Sequence, residues 1–355
     1  MRRSAPPKSP TIAAAAPNPR RLTLADVAQA ARVSRTTASN AFNRPGQLSA
    51  ALREHVLETA RALGYFGPDT TARALRRREL REVGVVFHHD LGYALSDPSS
   101  IEFLRGVARE LDERRLTLQL IPKMGRQLML EAAFQTTADV LIVHAEIGPE
   151  FVPELRAARK PVVLVDSHVP GIASVCTDDR VGAALAMRHA LQAQPDVVVV
   201  LCFLVTEAER RRVLAQRRPP RSGFVGTERV AGYAQAARAA DFGLERILWV
   251  EVDDQWPETA GERIAELRSQ LPGGTRLAIV AMSDRLALAA RKTVASWRGV
   301  KVVAIVGFDD IPAAADVGLT TIRQDHFLKG RRCVQVVLDG LEPPVMPVQL
   351  VVRDT

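Results

Sequence analysis

Arg35, Thr36, Ser39 and Asn40, within SRTTASNAF, are the residues whose types and spacing point most directly to chemistry. At helical spacing Ala38, Ala41 and Phe42 share one apolar stripe, which leaves those four polar side chains on the free face. A short helix offering Arg, Thr and Asn with no carboxylate suits a DNA major groove. A guanidinium forks onto guanine O6/N7 and an amide onto adenine N6/N7, each worth about 1–3 kcal/mol of discrimination. Thr37 and Asn43 lie on the same segment and complete its set of polar groups.

Three helices must position that face. Thr23 is placed to cap a first helix whose third position, Asp26, is acidic and whose Leu24, Val27 and Ala28 face one way. After a turn at Arg32-Val33, Ser34 begins the second helix, and Ser49 begins a third that stops at Gly64. Thr23, Ser34 and Ser49 are helix caps first, with phosphate contact a secondary role. The pattern is that of a helix-turn-helix reader.

Charge follows the same division. The net charge is +8, but residues 1–82 carry a balance of +9 and the remainder −1. A basic small segment is the electrostatic footprint of phosphate binding, although a solvated surface has the same composition. Cys176, Cys202 and Cys333 are too few and scattered for a disulfide framework or zinc site, and read as reduced thiols of a cytoplasmic protein. No apolar run approaches the ~18 residues of a membrane span. Residues 1–21 open with arginines, but Ile12–Ala16 is too short for an export signal, so a disordered basic tail is expected.

Beyond Tyr65, GPDTTARALRRREL forms a link in which Asp69 could cap a short helix ending in Arg76-Arg77-Arg78. So short a helix is marginal when free and orders only against a partner. From Val83 onward, apolar β-rich runs alternate with helical stretches. The expected strands are 83–87, 116–121, 140–144, 162–166, 197–203, 247–252, 277–282, 302–308 and 348–352, with amphipathic helices including 101–114, 180–191, 228–240 and 259–270. Strands apolar on both faces, alternating with helices, imply parallel sheets covered by helices, and this many strands imply two lobes. Ligands of such folds bind beyond the carboxyl ends of strands. That singles out His88-His89-Asp90, Asp166, Asp253-Asp254 with Trp256, Ser283-Asp284 and Asp309-Asp310. Adjacent histidines without third and fourth partners are a poor metal pattern. Residues 206–221, TEAERRRVLAQRRPPR, read as a basic surface insertion.

In their order these motifs resemble the LacI/GalR transcriptional regulators from about residue 22 to the C-terminus. TLADVAQAARVSRTTASNAFN and LGY are similar to the family's N-terminal signature, ARAL to its hinge helix, and RVAGY, AMSDRLALAA, IVGFDD and LTTIRQD to its effector domain. The resemblance implies a lambda-repressor-like all-α helix-turn-helix headpiece at 22–68 and a hinge at 69–81. A two-lobed α/β effector domain of the type I periplasmic-binding-protein-like fold would follow at 82–355. It makes Arg35, Thr36 and Asn40 base readers, although the family often has Arg at the place of Asn40 and glycine at that of Arg32. It makes Leu75 a minor-groove wedge, with Ala72 allowing two hinge helices to approach and Arg73 near phosphates. Arg229 and Asp284 would hydrogen-bond effector hydroxyls, Trp256 would stack on a ligand ring, and Asp166 and His88 would face the same cleft. Asp309-Asp310 is read as an interlobe or turn-forming pair.

The resemblance implies a homodimer on a pseudo-palindromic operator in double-stranded DNA, a small effector of the sugar class, and no cofactor or membrane partner. With no leucine heptad after VVRDT, a dimer rather than a tetramer is expected. A solute-capture protein of the same two-lobed fold would need an export signal and have no use for residues 22–65. An enzyme would need a nucleophile-and-base arrangement, and no GxSxG, Walker or GxGxxG motif is present.

Overall fold

The computed structural model describes residues 24–43, 47–63, 81–87, 89–121, 133–145, 151–158, 160–203, 205–252 and 257–355. The chain divides into two compact units, the first ending at Asp69 and the second beginning at Thr70.

The first unit holds α1 (Leu24–Ala30), α2 (Arg35–Asn43) and α3 (Ala50–Ala62). Its core is built of small residues: Val27, Ala28, Ala31, Ala38, Ala41, Val56 and Ala60. Side chains this small let three short helices approach closely. The turn closes with the Val33 amide on the Ala28 carbonyl at 2.9 Å, and Arg32 takes a left-handed φ of 54°. Ser34 Oγ accepts the Thr37 amide at 2.9 Å, and Ser49 Oγ accepts the Leu52 amide at 3.3 Å. Both caps stand where sequence placed them, each satisfying an amide that the first turn leaves without a partner.

The second unit contains two six-stranded sheets. Strands β1 (Glu82–Phe87), β2 (Thr117–Ile121), β3 (Val140–His144), β4 (Val162–Val165) and β5 (Ala173–Thr177) belong to lobe 1. Strands β6 (Val197–Cys202), β7 (Ile247–Glu251), β8 (Arg276–Ala281), β9 (Lys301–Asp309) and β10 (Thr320–Arg323) belong to lobe 2. The short β11 (Val345–Met346) returns to lobe 1 and β12 (Gln349–Val351) to lobe 2. The orders are β11-β5-β4-β3-β1-β2 and β12-β10-β9-β8-β6-β7. Every pairing is parallel except β10 with β12.

The helices are α4 (Leu91–Ala94), α5 (Pro98–Arg114), α6 (Val152–Ala157), α7 (Asp179–Gln192), α8 (Glu207–Ala215), α9 (Val225–Ala239), α10 (Pro257–Leu267), α11 (Asp284–Val294), α12 (Pro312–Asp316) and α13 (His326–Asp339). Among the described residues no helix is long and apolar enough to cross a membrane. The three cysteines are free thiols.

Alternation of side chains builds the lobe 1 core. Val83, Val85 and Phe87 enter one apolar cluster with Val107 and Val334, while Val86 points to the other face with Leu141 and Leu164. Sequence reading missed β5, β10 and β11: β5 and β10 are short and carry Ser, Thr or Arg instead of an apolar run, and β11 is only two residues long. These strands flank the places where the chain passes between lobes. It crosses from β5 to α7, from β10 to α13 and from β11 to β12. The insertion at 206–221 lies at the surface as expected, with no residue of its helix buried. It forms α8 behind a Thr206–Glu209 capping box and is held by Arg238 on the Leu214 and Gln216 carbonyls.

Helix α13 returns to lobe 1 and packs on α5 through two glycines. A Cβ on Gly106 would fall 1.9 Å from the Phe327 carbonyl oxygen, and one on Gly330 2.1 Å from that of Phe103. Gly106→Val should therefore force these helices apart and destabilise the second unit by about 1–3 kcal/mol. Urea unfolding measures this as a lower midpoint; a midpoint equal to that of the unsubstituted chain would contradict the close packing.

Candidate functional site

In the first unit, the apolar stripe of α2 points inward: Ala38 and Ala41 are fully buried. Arg35 and Thr36 are exposed, and Thr37, Ser39 and Asn40 are half-buried. Ser34 and Thr37 are engaged with each other, their hydroxyl oxygens 2.8 Å apart, which fixes the entry into the helix. Behind α2, His55 Nε2 stands 3.2 Å from the Ala31 carbonyl and Arg53 donates to the Ala41 carbonyl at 3.4 Å. Bonds from α3 thus hold the turn and the far end of α2, so its free face is presented on a fixed support. Thr23, Ala72, Arg73 and Leu75 lie outside the described residues, as does the side chain of Asn43.

In the second unit, the carboxyl ends of the two sheets face each other across a cleft with about 890 Å³ of empty space, part of it open to solvent. Phe87, His144 and Asp166 line it from the ends of β1, β3 and β4, and Phe203, Ser283 and Asp309 from the ends of β6, β8 and β9. Asp166 and Asp309 have positive φ, 53° and 121°, an uncommon backbone for residues with side chains. Of the residues expected to contact an effector, Asp166 and Arg229 line this cleft, and so do His89, Ser283 and Asp309, which the strand-end rule also singled out. His88 and Trp256 lie outside the described residues, although the neighbouring His89 is at the cleft wall.

Most charges here are already matched. Arg229, only 4% exposed, donates from Nε to Asp179 at 2.8 Å and from Nη1 to the Met282 carbonyl, and its guanidinium carbon lies 3.6 Å from the Phe308 ring centre. Burial opposes its charge, but the carboxylates of Asp179 and Asp309 outweigh that effect and raise its pKa. Burial in turn pushes the Asp179 carboxyl up to about 6, against the pull of Arg229. Asp166 receives Lys329 Nζ on both oxygens, at 2.9 and 2.8 Å, with His144 Nε2 3.7 Å away. Burial alone would raise this carboxyl; Lys329 and His144 together hold it well below the usual carboxylate range.

Asp284 requires a correction. Sequence placed it among the effector contacts, yet it is fully buried and absent from the cleft wall. Its Oδ2 accepts the Ile311 amide at 2.9 Å and its Oδ1 the Thr321 hydroxyl at 2.5 Å, tying the start of α11 to β10 and the turn before α12. A Cβ at Gly307 would fall 2.0 Å from that Oδ1, so the glycine of GFDD makes room for the carboxylate of AMSD. The following residue, Arg285, is the one that faces the cleft.

The Asp309-Asp310 pair divides its work. Asp310 is held by Arg323 and Arg353, each at 2.6 Å, whereas Asp309 accepts Gln324 Nε2 at 2.8 Å and lines the cleft. Sequence reasoning also passed over Tyr93, Asp97, His144, Phe203, Gln324 and Lys329. His144 and Phe203 end strands and were open to the same rule that found Asp166. Lys329 sits on an amphipathic helix face, where nothing local marks a buried cation.

This arrangement can be set beside known proteins. Residues 23–67 match the bacterial regulatory proteins of the lacI family, and residues 203–355 match the periplasmic binding protein-like domain. An HTH-type transcriptional regulator of Mycobacterium tuberculosis is 34% identical over 346 residues, covering 92% of this chain and 93% of its own. The chain belongs to the LacI family. A second member, the HTH-type transcriptional regulator IpsA of Corynebacterium glutamicum, is 30% identical over 90% of this chain and 91% of its own. Solved structures share the fold at lower identity. A LacI-family transcriptional regulator from C. glutamicum superposes with a TM-score of 0.65 at 24% identity, covering 94% of this chain and 98% of that one. The CelR–cellobiose complex gives 0.62 at 22%, covering 94% and 99%, and the lac repressor dimer bound to operator and an anti-inducer gives 0.61 at 20%, covering 94% and 98%. The LacI-family headpiece and two-lobed α/β fold expected from sequence are thus present. The protein is a DNA-binding transcriptional regulator, and its relatives are regulators rather than enzymes.

The inward Asp284 has a pH signature. Its carboxyl is pushed up to about 8, first by burial and then by the charge of Asp309. The folded chain therefore keeps a proton that the unfolded chain has released, and this group's contribution to stability falls as pH rises from about 4 to about 8. Asp284→Asn preserves an acceptor for Ile311 and a bond to Thr321 but cannot ionise. Urea midpoints recorded between pH 5 and 8 should decline less in this variant; parallel curves for the two proteins would contradict the assignment.

Proposed function

We propose that the protein is a repressor that binds a pseudo-palindromic operator as a homodimer and answers to a small, uncharged, hydroxyl-rich effector of the sugar class. The observation that carries the effector class is the internal pairing of the cleft's charges: Arg229 with Asp179, and Asp166 with Lys329. A phosphorylated ligand would need several surplus cations; these pairs engage Arg229 and Lys329, and among the described lysines and arginines of the cleft wall only Arg285 keeps a nitrogen without an acceptor. Aromatic edges from Phe87, Tyr93 and Phe203, with hydroxyls and amides between them, suit a ring bearing many hydroxyls. The bound cellobiose of the CelR complex supports the same class.

Within this reading residues 22–68 are the DNA-binding domain, 69–81 the hinge and 82–355 the effector and dimerisation domain, with residues 1–21 a basic tail. Arg35, Thr36 and Asn40 read bases, and Thr37, Ser39 and Asn43 flank them. Thr23 and Ser34 cap helices close to phosphates. Leu75 wedges the minor groove, with Ala72 and Arg73 beside it. Arg229 and Asp166 hold the effector from opposite lobes, with His88 and Trp256 completing the pocket. An effector with different affinity for the two lobe arrangements shifts their populations, and with them the spacing of the paired hinges. No cofactor or catalytic step is involved, and the protein acts on the chromosome in the cytoplasm.

Selection of bound DNA from a random pool, followed by binding measurements on the selected sites, tests the readers. Arg35→Ala and Asn40→Ala should each lower affinity for selected sites by about 1–3 kcal/mol, while non-specific, salt-dependent binding is retained. Equal weakening on every DNA would assign both residues to the phosphate backbone instead.

A further inference from the structure

Arg285, the second residue of α11 in lobe 2, leans across to lobe 1. Its guanidinium carbon stands 4.9 Å from the centre of the Tyr93 ring, and its Nη1 stands 3.7 Å from Asp97 Oδ1. Tyr93 belongs to α4, and Asp97 caps α5 through its other oxygen, which accepts the Ser100 amide at 2.8 Å. Nη1 is buried and has no hydrogen-bond acceptor among the described residues.

The position of this contact gives it a role. The bond between Thr177 and Gln324 also ties chain from the two sides of the cleft, but both residues lie in the crossing segments themselves. Rotation of the lobes about the crossings leaves such bonds intact. Arg285 belongs to lobe 2 and Tyr93 and Asp97 to lobe 1, and none of them lies within a crossing segment, so a movement that widens the cleft draws them apart. A cation over a ring, together with an ion pair just beyond hydrogen-bond range, is weak enough to break and strong enough to bias the balance.

We propose that Arg285 is the latch of the cleft, a positioning residue that holds lobe 2 against lobe 1 in the free protein. A ligand hydroxyl that supplies the acceptor Nη1 lacks reinforces the same closure, so Arg285 sets the affinity for effector. The second clause rests on the effector reading of the cleft; the first does not.

Amide hydrogen exchange of the full-length protein, with no ligand added, tests the latch. Arg285→Gln should speed exchange across residues 91–101 about fivefold, the scale of one cation–π contact and one partly exposed ion pair. Arg285→Lys keeps a cation over Tyr93 and should recover at least half of the lost protection. Asp97→Asn keeps the helix cap, should have a smaller effect alone, and should add nothing to Arg285→Gln. Headpiece amides 24–43 and the thermal midpoint should stay unchanged. Unaltered exchange in Arg285→Gln would overturn the proposal, as would equal loss in Arg285→Lys or faster exchange throughout both lobes. Because no effector enters, a latch that behaves as stated beside a cleft that answers to no sugar would fault only the functional reading.

Discussion

The second unit is organised around one requirement: charged groups brought together where two parallel sheets end must be neutralised without water. Lys329, 1% exposed, meets both oxygens of Asp166 and also reaches Gln324 Oε1 at 3.2 Å. The same Gln324 oxygen accepts the Thr177 hydroxyl at 2.8 Å, and its amide nitrogen donates to Asp309. One chain of polar contacts therefore runs from lobe 1 through two of the three crossing segments into lobe 2. An unpaired charge in such a place costs several kcal/mol, so the parts of the network hold only together. The fold places the crossings, and the crossings place the charges that wall the cleft.

That coupling accounts for the character of the cleft. Most of its ionic groups are engaged in holding the seam, and what faces the open space, Arg285 aside, is a mixture of aromatic edges, hydroxyls and amides. It also explains why the backbone at Asp166 and Asp309 adopts positive φ: both carboxylates must turn out of their strands toward partners from another element. Strain at these two points is offset by the bonds it allows.

The sequence was informative where local rules decide the outcome. The headpiece was legible because Ser34 and Ser49 mark helix starts and because Ala38 and Ala41 could only belong to a tight interior. The long apolar strands were legible for the same kind of reason. Strands β5, β10 and β11 were not, since ASVCT and TTIR owe their pairing to neighbouring strands and not to their own composition. The site was half legible. Asp166 and Arg229 stand at the cleft, but Asp284 and Arg285 exchange places, because one residue along a helix turns a side chain by about 100° and sequence does not fix the helix's rotation. Lys329 gave no signal at all, since its partner Asp166 lies far away in the chain.

The central claim is that an uncharged effector in the interlobe cleft governs recognition of a symmetrical DNA site. Footprinting of the full-length protein on genomic DNA, in the presence and absence of neutral sugars and their phosphate esters, tests it most directly. The account predicts protected half-sites related by two-fold symmetry, about one helical turn apart, whose occupancy changes with a neutral sugar and not with its phosphate. Protection without sequence preference, or a response confined to the phosphorylated compounds, would contradict it.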